Sequence, residues 1–162
     1  AQEELIRDFL QERGFERYEI SNFAKKGFES RHNLLYWSYG SWLGIGAGAA
    51  SFIAETGLHS RYADDVKAFI GREGLSIYQP SGSELAEEYL MMGLRKSTGI
   101  SINDFNELFK NDQKSVFSTK TFENLLCNGF LKKTDDGERL LCTEKGSRYL
   151  NYVLLELFKE LK

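Results

Sequence analysis

Four side chains within six residues have the chemistry to bind a flat ligand or a metal. His32, Asn33, Tyr36 and Trp37 stand in the segment RHNLLYW. A histidine can ligate a metal, move a proton or make a structural hydrogen bond, while Tyr and Trp present rings that stack on flat ring systems. Arg31 adds a group that can hold a carboxylate or a phosphate bidentately. Core packing, structural hydrogen bonding and a solvated surface arginine explain the same residues, so residue types alone leave the chemistry open.

A glycine-rich stretch, GIGAGA, follows at residues 44–49. Its G-x-G-x-G spacing lacks the third glycine of the dinucleotide-binding fingerprint. Small residues allow the backbone to approach another backbone or a flat ligand closely. The segment WLGIGAGAASF therefore predicts a short buried strand that ends in a glycine-rich turn. The turn is either a tightly packed corner or a wall beside an adenosine or a macrocycle.

The elements around these motifs follow from apolar spacing. Leu5, Ile6, Phe9 and Leu10 predict one face of a helix that Gly14 ends. The run FERYEIS then predicts a strand, so that helix and strand form half of a βαβ unit. A chain that opens inside a helix, without an initiator Met, indicates the C-terminal piece of a longer protein. From residue 60 the pattern predicts a helix, and it makes the preceding His59 a surface or capping residue.

The sole proline, Pro80, marks a boundary in the sequence. Ser81 and Glu84 form a capping-box pattern at the start of a helix. Two shorter helices follow, the second ended by Gly129, and then two β-like runs flank the turn dipeptide Asp136–Gly137. A closing amphipathic helix follows. Three helices, a hairpin and a closing helix, in this order, make a winged-helix pattern.

Winged helices often bind DNA, but the charges here argue against that function. The helix that would enter the groove, residues 119–128, offers Lys120 as its single basic residue, and the wing mixes three basic with three acidic residues. The formal net charge of the chain is −3, whereas a groove reader must neutralise several phosphates. A packing or partner-docking module fits better. Cys127 and Cys142 lie far apart, which predicts reduced thiols in a cytoplasmic protein, and no apolar run is long enough to span a membrane.

Residues 17–52 carry a specific family resemblance. The segments RYEISNFAKKGFESRHNLLYW and WLGIGAGAASF closely resemble the oxygen-independent coproporphyrinogen III oxidase family of radical S-adenosylmethionine (SAM) proteins. The signature HN-x-x-YW stands here as His32, Asn33, Tyr36 and Trp37, and it is similar to that of the heme-chaperone branch. Ala50 stands where many relatives have histidine, which argues against ligand or acid–base chemistry at this position.

The resemblance implies an α+β fold in two parts. Residues 1–59 would be the terminal helix and strand part of a partial (β/α) barrel. Residues 60–162 would be a mostly helical C-terminal domain, winged-helix-like from about residue 81. The parent protein would hold a [4Fe-4S] cluster through a CxxxCxxC loop, with SAM nearby. No such loop stands in this sequence, so we expect no radical chemistry and no metal site from this chain alone.

The resemblance also implies a function and a site. The parent would bind heme and transfer it to an acceptor protein. The alternatives are the oxidase itself, which decarboxylates two propionate side chains, and a non-catalytic winged-helix interaction module. Heme or a porphyrin would contact the residues of the HN-x-x-YW signature. The glycine stretch would form a wall on the cofactor side: Gly44, Gly46, Gly48 and Ala50.

Overall fold

The computed structural model describes residues 2–109 and 116–161, so Ala1, residues 110–115 and Lys162 lie outside the described part. Helices and short strands are mixed along the chain, and the predicted α+β class is confirmed. The elements before Pro80 are α1 (Gln2–Gln11), β1 (Glu16–Arg17), β2 (Phe23–Ala24), α2 (Arg31–Trp37), β3 (Ala50–Ile53), β4 (Leu58–Tyr62), α3 (Val66–Ile70) and β5 (Leu75–Tyr78). The elements after it are α4 (Gly82–Gly93), β6 (Ile100–Ser101), α5 (Ile102–Leu108), the 3₁₀ turn η1 (Val116–Ser118), α6 (Lys120–Cys127), β7 (Leu131–Lys133), β8 (Arg139–Cys142), α7 (Glu144–Arg148) and α8 (Leu150–Phe158).

Helix α1 forms where the apolar spacing predicts it, and Gly14 closes it with a φ of +77°. Leu10 on its apolar face is partly buried, but the other three residues of that face are more than half exposed: Leu5, Ile6 and Phe9. The charged side of α1 faces the rest of the described chain instead. Arg7 pairs with Glu144 of α7, and Glu4 pairs with Arg148 at the end of the same helix. Charge contacts therefore hold α1 against the C-terminal elements.

Strand β1 is much shorter than the run FERYEIS suggests. It pairs antiparallel with β2, with Glu16 opposite Ala24. The chain reverses between them, and the Tyr18 amide donates to the Asn22 carbonyl at 3.2 Å. The predicted strand after α1 is thus one arm of a small antiparallel hairpin, and its place in a βαβ unit stays a prediction.

A three-stranded antiparallel sheet in the order β3-β4-β5 occupies the centre of the sequence. The helix predicted from residue 60 is wrong over most of its length, because β4 pairs on both sides and α3 begins only at Val66. Asp65 caps α3 by accepting from the amides of Lys67 and Ala68. This sheet runs across residue 59, and the division of the chain at that point stays a prediction.

The elements after Pro80 form as their local signals predict, except that the single closing helix is interrupted at Tyr149. Ser81 and Glu84 make both hydrogen bonds of the capping box at the start of α4. Gly129, with a φ of +67°, follows α6, and β7 and β8 form a hairpin around Gly137. Strand β6 joins the hairpin in the order β6-β8-β7. Three helices followed by this wing confirm the winged-helix-like arrangement.

The main apolar core lies wholly in this second half. Its buried members come from α4 to the end of the described chain: Ala86, Leu90, Leu94, Ile100, Phe105, Val116, Phe117, Phe122, Leu125, Leu131, Leu140, Leu150, Val153, Leu154, Leu157 and Leu161. The closing helix is broken at Tyr149 into α7 and α8, and α8 supplies four of these residues. Within residues 2–109 and 116–161, no helix combines the length and the apolar character needed to cross a membrane.

Candidate functional site

Helix α2 carries all four residues of the HN-x-x-YW signature. Ser30 begins it as N-cap, and its Oγ accepts from the Asn33 amide at 3.3 Å. The helix has seven residues and no fully buried side chain. The i,i+4 spacing places His32 beside Tyr36, and Asn33 beside Trp37, on neighbouring faces. The signature is therefore a short, partly exposed helix with two paired faces.

His32 is the exposed end of this site. Its ring meets the Tyr36 ring edge-on, with centroids 4.7 Å apart and planes at 87°. No hydrogen bond joins the imidazole to another residue in the described ranges. The ring is thus oriented by an aromatic contact, while its nitrogens stay available to a ligand.

The ring of Tyr36 begins a series of aromatic contacts that runs inward. Tyr36 packs on Trp42 at 4.7 Å, and Trp42 packs on the fully buried Phe52 at 4.9 Å between centroids. Trp42 and Phe52 also exchange both backbone hydrogen bonds. Tyr39 then joins Phe52 to Tyr89 of α4, which borders the apolar core. Packed rings therefore connect the exposed helix α2 to the interior of the C-terminal elements.

Tyr39 also anchors a polar cluster with Glu88 and His59. Glu88 of α4 accepts a hydrogen bond from His59 Nε2 at 3.0 Å, and its carboxylate lies 3.5 Å from the Tyr39 hydroxyl. Burial, followed by the nearby Glu88 charge, raises the pKa of Tyr39 well above its usual range. Tyr39 has a φ of +58°, a left-handed conformation that costs a non-glycine residue about 1 kcal/mol. The prediction that His59 is a surface or capping residue is wrong, because this histidine lies half-buried in β4 and ties the sheet to α4.

Trp37 faces a different neighbour from that of Tyr36. The Arg95 guanidinium lies over the Trp37 ring, 5.2 Å from its centroid, a cation–π arrangement. The indole Nε1–H is buried and has no hydrogen-bond acceptor in the part of the chain that the structure describes. Buried donors are normally satisfied, so this N–H is a local anomaly at the edge of the site.

The glycine-rich stretch is a surface loop, and the buried strand predicted there is wrong. Trp42 makes one isolated bridge to Phe52, after which Leu43 and Ile45 are 76% and 83% exposed. Gly44 is required by a close approach, since a Cβ there would lie 2.2 Å from the Ala50 carbonyl oxygen. This approach allows the chain to fold back into β3 immediately after the loop.

The other predicted wall residues lie in the same loop and strand. Gly46 and Gly48 have φ values of +122° and +72°, and the Gly48 amide donates to the Ala63 carbonyl. Ala50 is the exposed first residue of β3. A Cβ on Gly44 would meet Ala50 of β3, and one on Gly48 would meet Asp64, just after β4, while Trp42 makes the aromatic contact with α2. Their role as a wall beside a ligand stays a prediction.

The two cysteines do not fit an iron–sulfur cluster. Cys127 is exposed on α6, and Cys142 is half-buried in β8, where burial raises the pKa of its thiol to about 12. No group of three or more His, Cys, Asp or Glu side chains in the described residues could hold a metal ion. A [4Fe-4S] cluster needs several thiolate ligands together, so this chain does not provide that site.

Several residues around α2 were not predicted from the sequence. Trp42 stands close to the signature and had an aromatic signal that could have been followed. Glu88 and Arg95 lie more than 45 positions further along the chain than the residues they contact on or just after α2, Tyr39 and Trp37. No local spacing rule links them, and only the tertiary fold brings them together.

Comparison with known proteins identifies relatives of the chain. A family model described as the HemN C-terminal domain matches residues 81–149. The heme chaperone HemW of Lactococcus lactis is 33% identical over 154 residues, covering 93% of this chain and 39% of the relative. HemW of Bacillus subtilis is 36% identical over 121 residues, covering 70% and 31%. The mitochondrial radical S-adenosyl methionine domain-containing protein 1 of mouse is 34% identical over 173 residues, covering 96% and 38%.

A solved structure has a similar fold. The radical SAM enzyme HemN of Escherichia coli, a coproporphyrinogen III oxidase, superposes with a TM-score of 0.67 at 13% identity, over 95% of this chain and 39% of that protein. The chain thus spans less than two fifths of the length of each of these relatives. Its signature, its fold and its sequence relatives agree, and the chain belongs to the HemN/HemW family.

Proposed function

We propose that this chain is part of a heme chaperone and that it contacts heme through α2. Two of the sequence relatives above are named heme chaperones. The observation that carries the proposal is the exposed His32 ring, which packs edge-on against Tyr36 and has no hydrogen bond within the described residues. A histidine held in this way is free to ligate iron.

The residues of α2 supply complementary contacts. A neutral imidazole nitrogen of His32 would donate its lone pair to the iron. The partly exposed rings of Tyr36 and Trp37 would contact the porphyrin face or edge, and the Asn33 side chain would add a polar contact. Because Tyr36 is braced by Trp42, the ligand would meet a surface that is already formed. The open position of His32 suits a carrier that must release heme to an acceptor protein.

The wall proposed for the glycine stretch extends this surface. Gly44, Gly46, Gly48 and Ala50 carry at most a methyl group, so a flat ligand beside them would meet little steric hindrance. Trp42 leads directly into this loop and packs on Tyr36. We therefore assign the loop to the side of the site that faces the porphyrin.

The remaining family functions concern the whole protein. The SAM and the [4Fe-4S] cluster implied by the family would be held by residues outside this chain, since its two cysteines cannot form the cluster site. The oxidase activity has no observation of its own here, because 13% identity to the E. coli enzyme carries the fold alone. The cytoplasmic location stays a prediction, and one of the relatives is named mitochondrial.

A hemin titration followed by Soret absorbance tests the proposal. We expect saturable binding by the wild-type chain. His32→Ala should weaken it by about tenfold or more and shift the Soret maximum, because an iron ligand is lost. The chain has only one other histidine, so His59→Gln is the matched control and should retain the wild-type spectrum.

Two results would overturn this assignment. Absence of saturable binding would show that these residues do not form a heme site in this chain. Equal binding by wild type and His32→Ala, with loss in His59→Gln, would move the iron ligand to the sheet and away from α2.

A further inference from the structure

Two adjacent cations next to α2 have no acidic partner among the described residues. Arg95 and Lys96 follow α4 and are half-buried. Within residues 2–109 and 116–161, neither side chain forms an ion pair with a carboxylate, and neither has an interaction beyond those described below. The sequence holds 24 acidic against 21 basic residues, so partners are not scarce. Half-buried charges are normally paired, which makes this pair of cations unusual.

Both cations reach the C-terminal end of α2. The Arg95 guanidinium lies 5.2 Å from the centroid of the Trp37 ring, and Lys96 Nζ lies 3.1 Å from Ser38 Oγ. Trp37 and Ser38 are consecutive, so two positive charges stand beside one end of the proposed heme-contacting helix. Burial, with a smaller contribution from Arg139, lowers the pKa of Lys96. A bound anion would offset both effects.

The same two residues line a cleft with excess positive charge. The cleft has a volume of about 530 Å³ and lies between the β1 hairpin, the end of α4 and the wing. Its charged lining consists of five cations and two carboxylates: Arg7, Arg17, Arg95, Lys96, Lys132, Glu19 and Glu144. Glu144 is engaged by Arg7 and Arg148. The local balance is therefore positive in a chain whose net charge is negative.

Trp37 adds an independent sign that an acceptor belongs here. Its indole N–H is buried and unsatisfied, and the guanidinium of Arg95 lies over the same ring. A carboxylate held by Arg95 would bring an acceptor to this N–H. One anion would then give Arg95 an acidic partner and the indole N–H an acceptor, neither of which the described residues supply.

We infer that Arg95 and Lys96 bind the propionate carboxylates of a porphyrin whose ring lies against α2. The inference rests on the proposed heme site and deepens it by assigning the groups that orient the ligand. Guanidinium and ammonium groups form strong, charge-assisted hydrogen bonds with carboxylates. The two propionates of heme lie on one edge of the macrocycle, which matches two consecutive cations at one end of a short helix. His32, at the other end, remains the candidate for the iron.

The test compares hemin with hemin dimethyl ester, in which the carboxylates are blocked. We expect wild type to bind the ester about tenfold or more weakly than hemin. Arg95→Gln and Lys96→Gln should each weaken hemin binding by about tenfold and leave ester binding unchanged. Exposed residues away from the cleft give the matched controls Arg61→Gln and Lys120→Gln, which should bind both ligands like wild type.

The outcomes separate this inference from the proposed function. If wild type binds neither ligand, the heme site itself is refuted and the inference falls with it. If wild type binds hemin and its ester equally, or if the two variants weaken both ligands to the same extent, heme binding stands but the cations serve only to pack α2. Circular dichroism of each variant shows that the fold is retained.

Discussion

Residues 2–78 and residues 81–161 are organised on different principles. The second region contains the whole main core, whereas the only buried apolar residues in the first are Ala24 and Phe52, among those described. Most of the exposed large apolar side chains belong to the first region, Leu43 and Ile45 among them. The first region is held instead by aromatic contacts, close backbone approaches and ion pairs to the second.

The core that stabilises the fold and the proposed ligand site therefore lie in different regions of the molecule. A closed core excludes water and gains most of its free energy from apolar burial. The first region keeps rings, glycines and a histidine near the surface, where they can meet a ligand but contribute less to folding. The first region, which is proposed to bind the ligand, is thus held in place by the second region, which contains the apolar core.

The sharpest test exchanges phenylalanine for alanine in each region. Phe122 is 1% exposed in the core, while Phe28 is 81% exposed. Phe122→Ala should lower the free energy of unfolding by about 3–5 kcal/mol, and Phe28→Ala should change it by about 0.5 kcal/mol or less. Urea denaturation followed by circular dichroism measures both. A large cost for Phe28→Ala would show that the first region buries apolar surface after all.

A smaller effect should reveal how the first region is held. Gly44→Ala places a methyl group 2.2 Å from the Ala50 carbonyl oxygen, and the backbone must move at a cost of about 1–3 kcal/mol. Gly71 has an ordinary φ of −72° and no atom closer than 3.4 Å to an added Cβ. Gly71→Ala should therefore be neutral or stabilising by up to about 1 kcal/mol. Similar thermal midpoints for the two variants would contradict a role for close backbone packing in the loop.

The smallest effect concerns the contact between the two regions at high pH. Burial raises the pKa of Tyr39 and Tyr89, whose rings meet across the regions at 5.4 Å. Above about pH 10, the unfolded chain loses phenolic protons that the folded chain retains, so stability must fall as pH rises.

Tyr39→Phe should reduce the loss of unfolding free energy as pH rises. The reduction should be less than about 1.4 kcal/mol per pH unit, because the Tyr39 ring is only half-buried. Unfolding free energies of wild type and variant between pH 8 and pH 11 provide the measurement. Parallel curves would show that the ionisation of Tyr39 does not oppose folding.

The second region was predicted well because its signals are local. The capping box at Ser81 and Glu84, the glycine after α6 and the Asp136–Gly137 turn each fix the backbone within a few residues. In the first region the same rules predicted α1 and its closing Gly14 but not the three-stranded sheet. Strand β4 is partly buried along most of its length and β5 is exposed throughout, so neither carries the alternation that identifies a strand.

The site was predicted only in part, for the same reason. The signature on α2 is contiguous and could be found by its resemblance to a family. The pairing of His59 with Glu88, and of Arg95 with Trp37, depends on how α4 packs against the earlier elements. Contacts across such distances in sequence are set by the tertiary fold and leave no spacing pattern to detect.

The placement of the two tryptophans has a practical consequence. The sequence contains only Trp37 and Trp42, and both lie on or against α2. Intrinsic tryptophan fluorescence therefore originates at the proposed site and not in the C-terminal core. The emission of these two tryptophans can therefore report ligand binding. A porphyrin docking on α2 would quench it by energy transfer, while events in the wing would leave it almost unaltered.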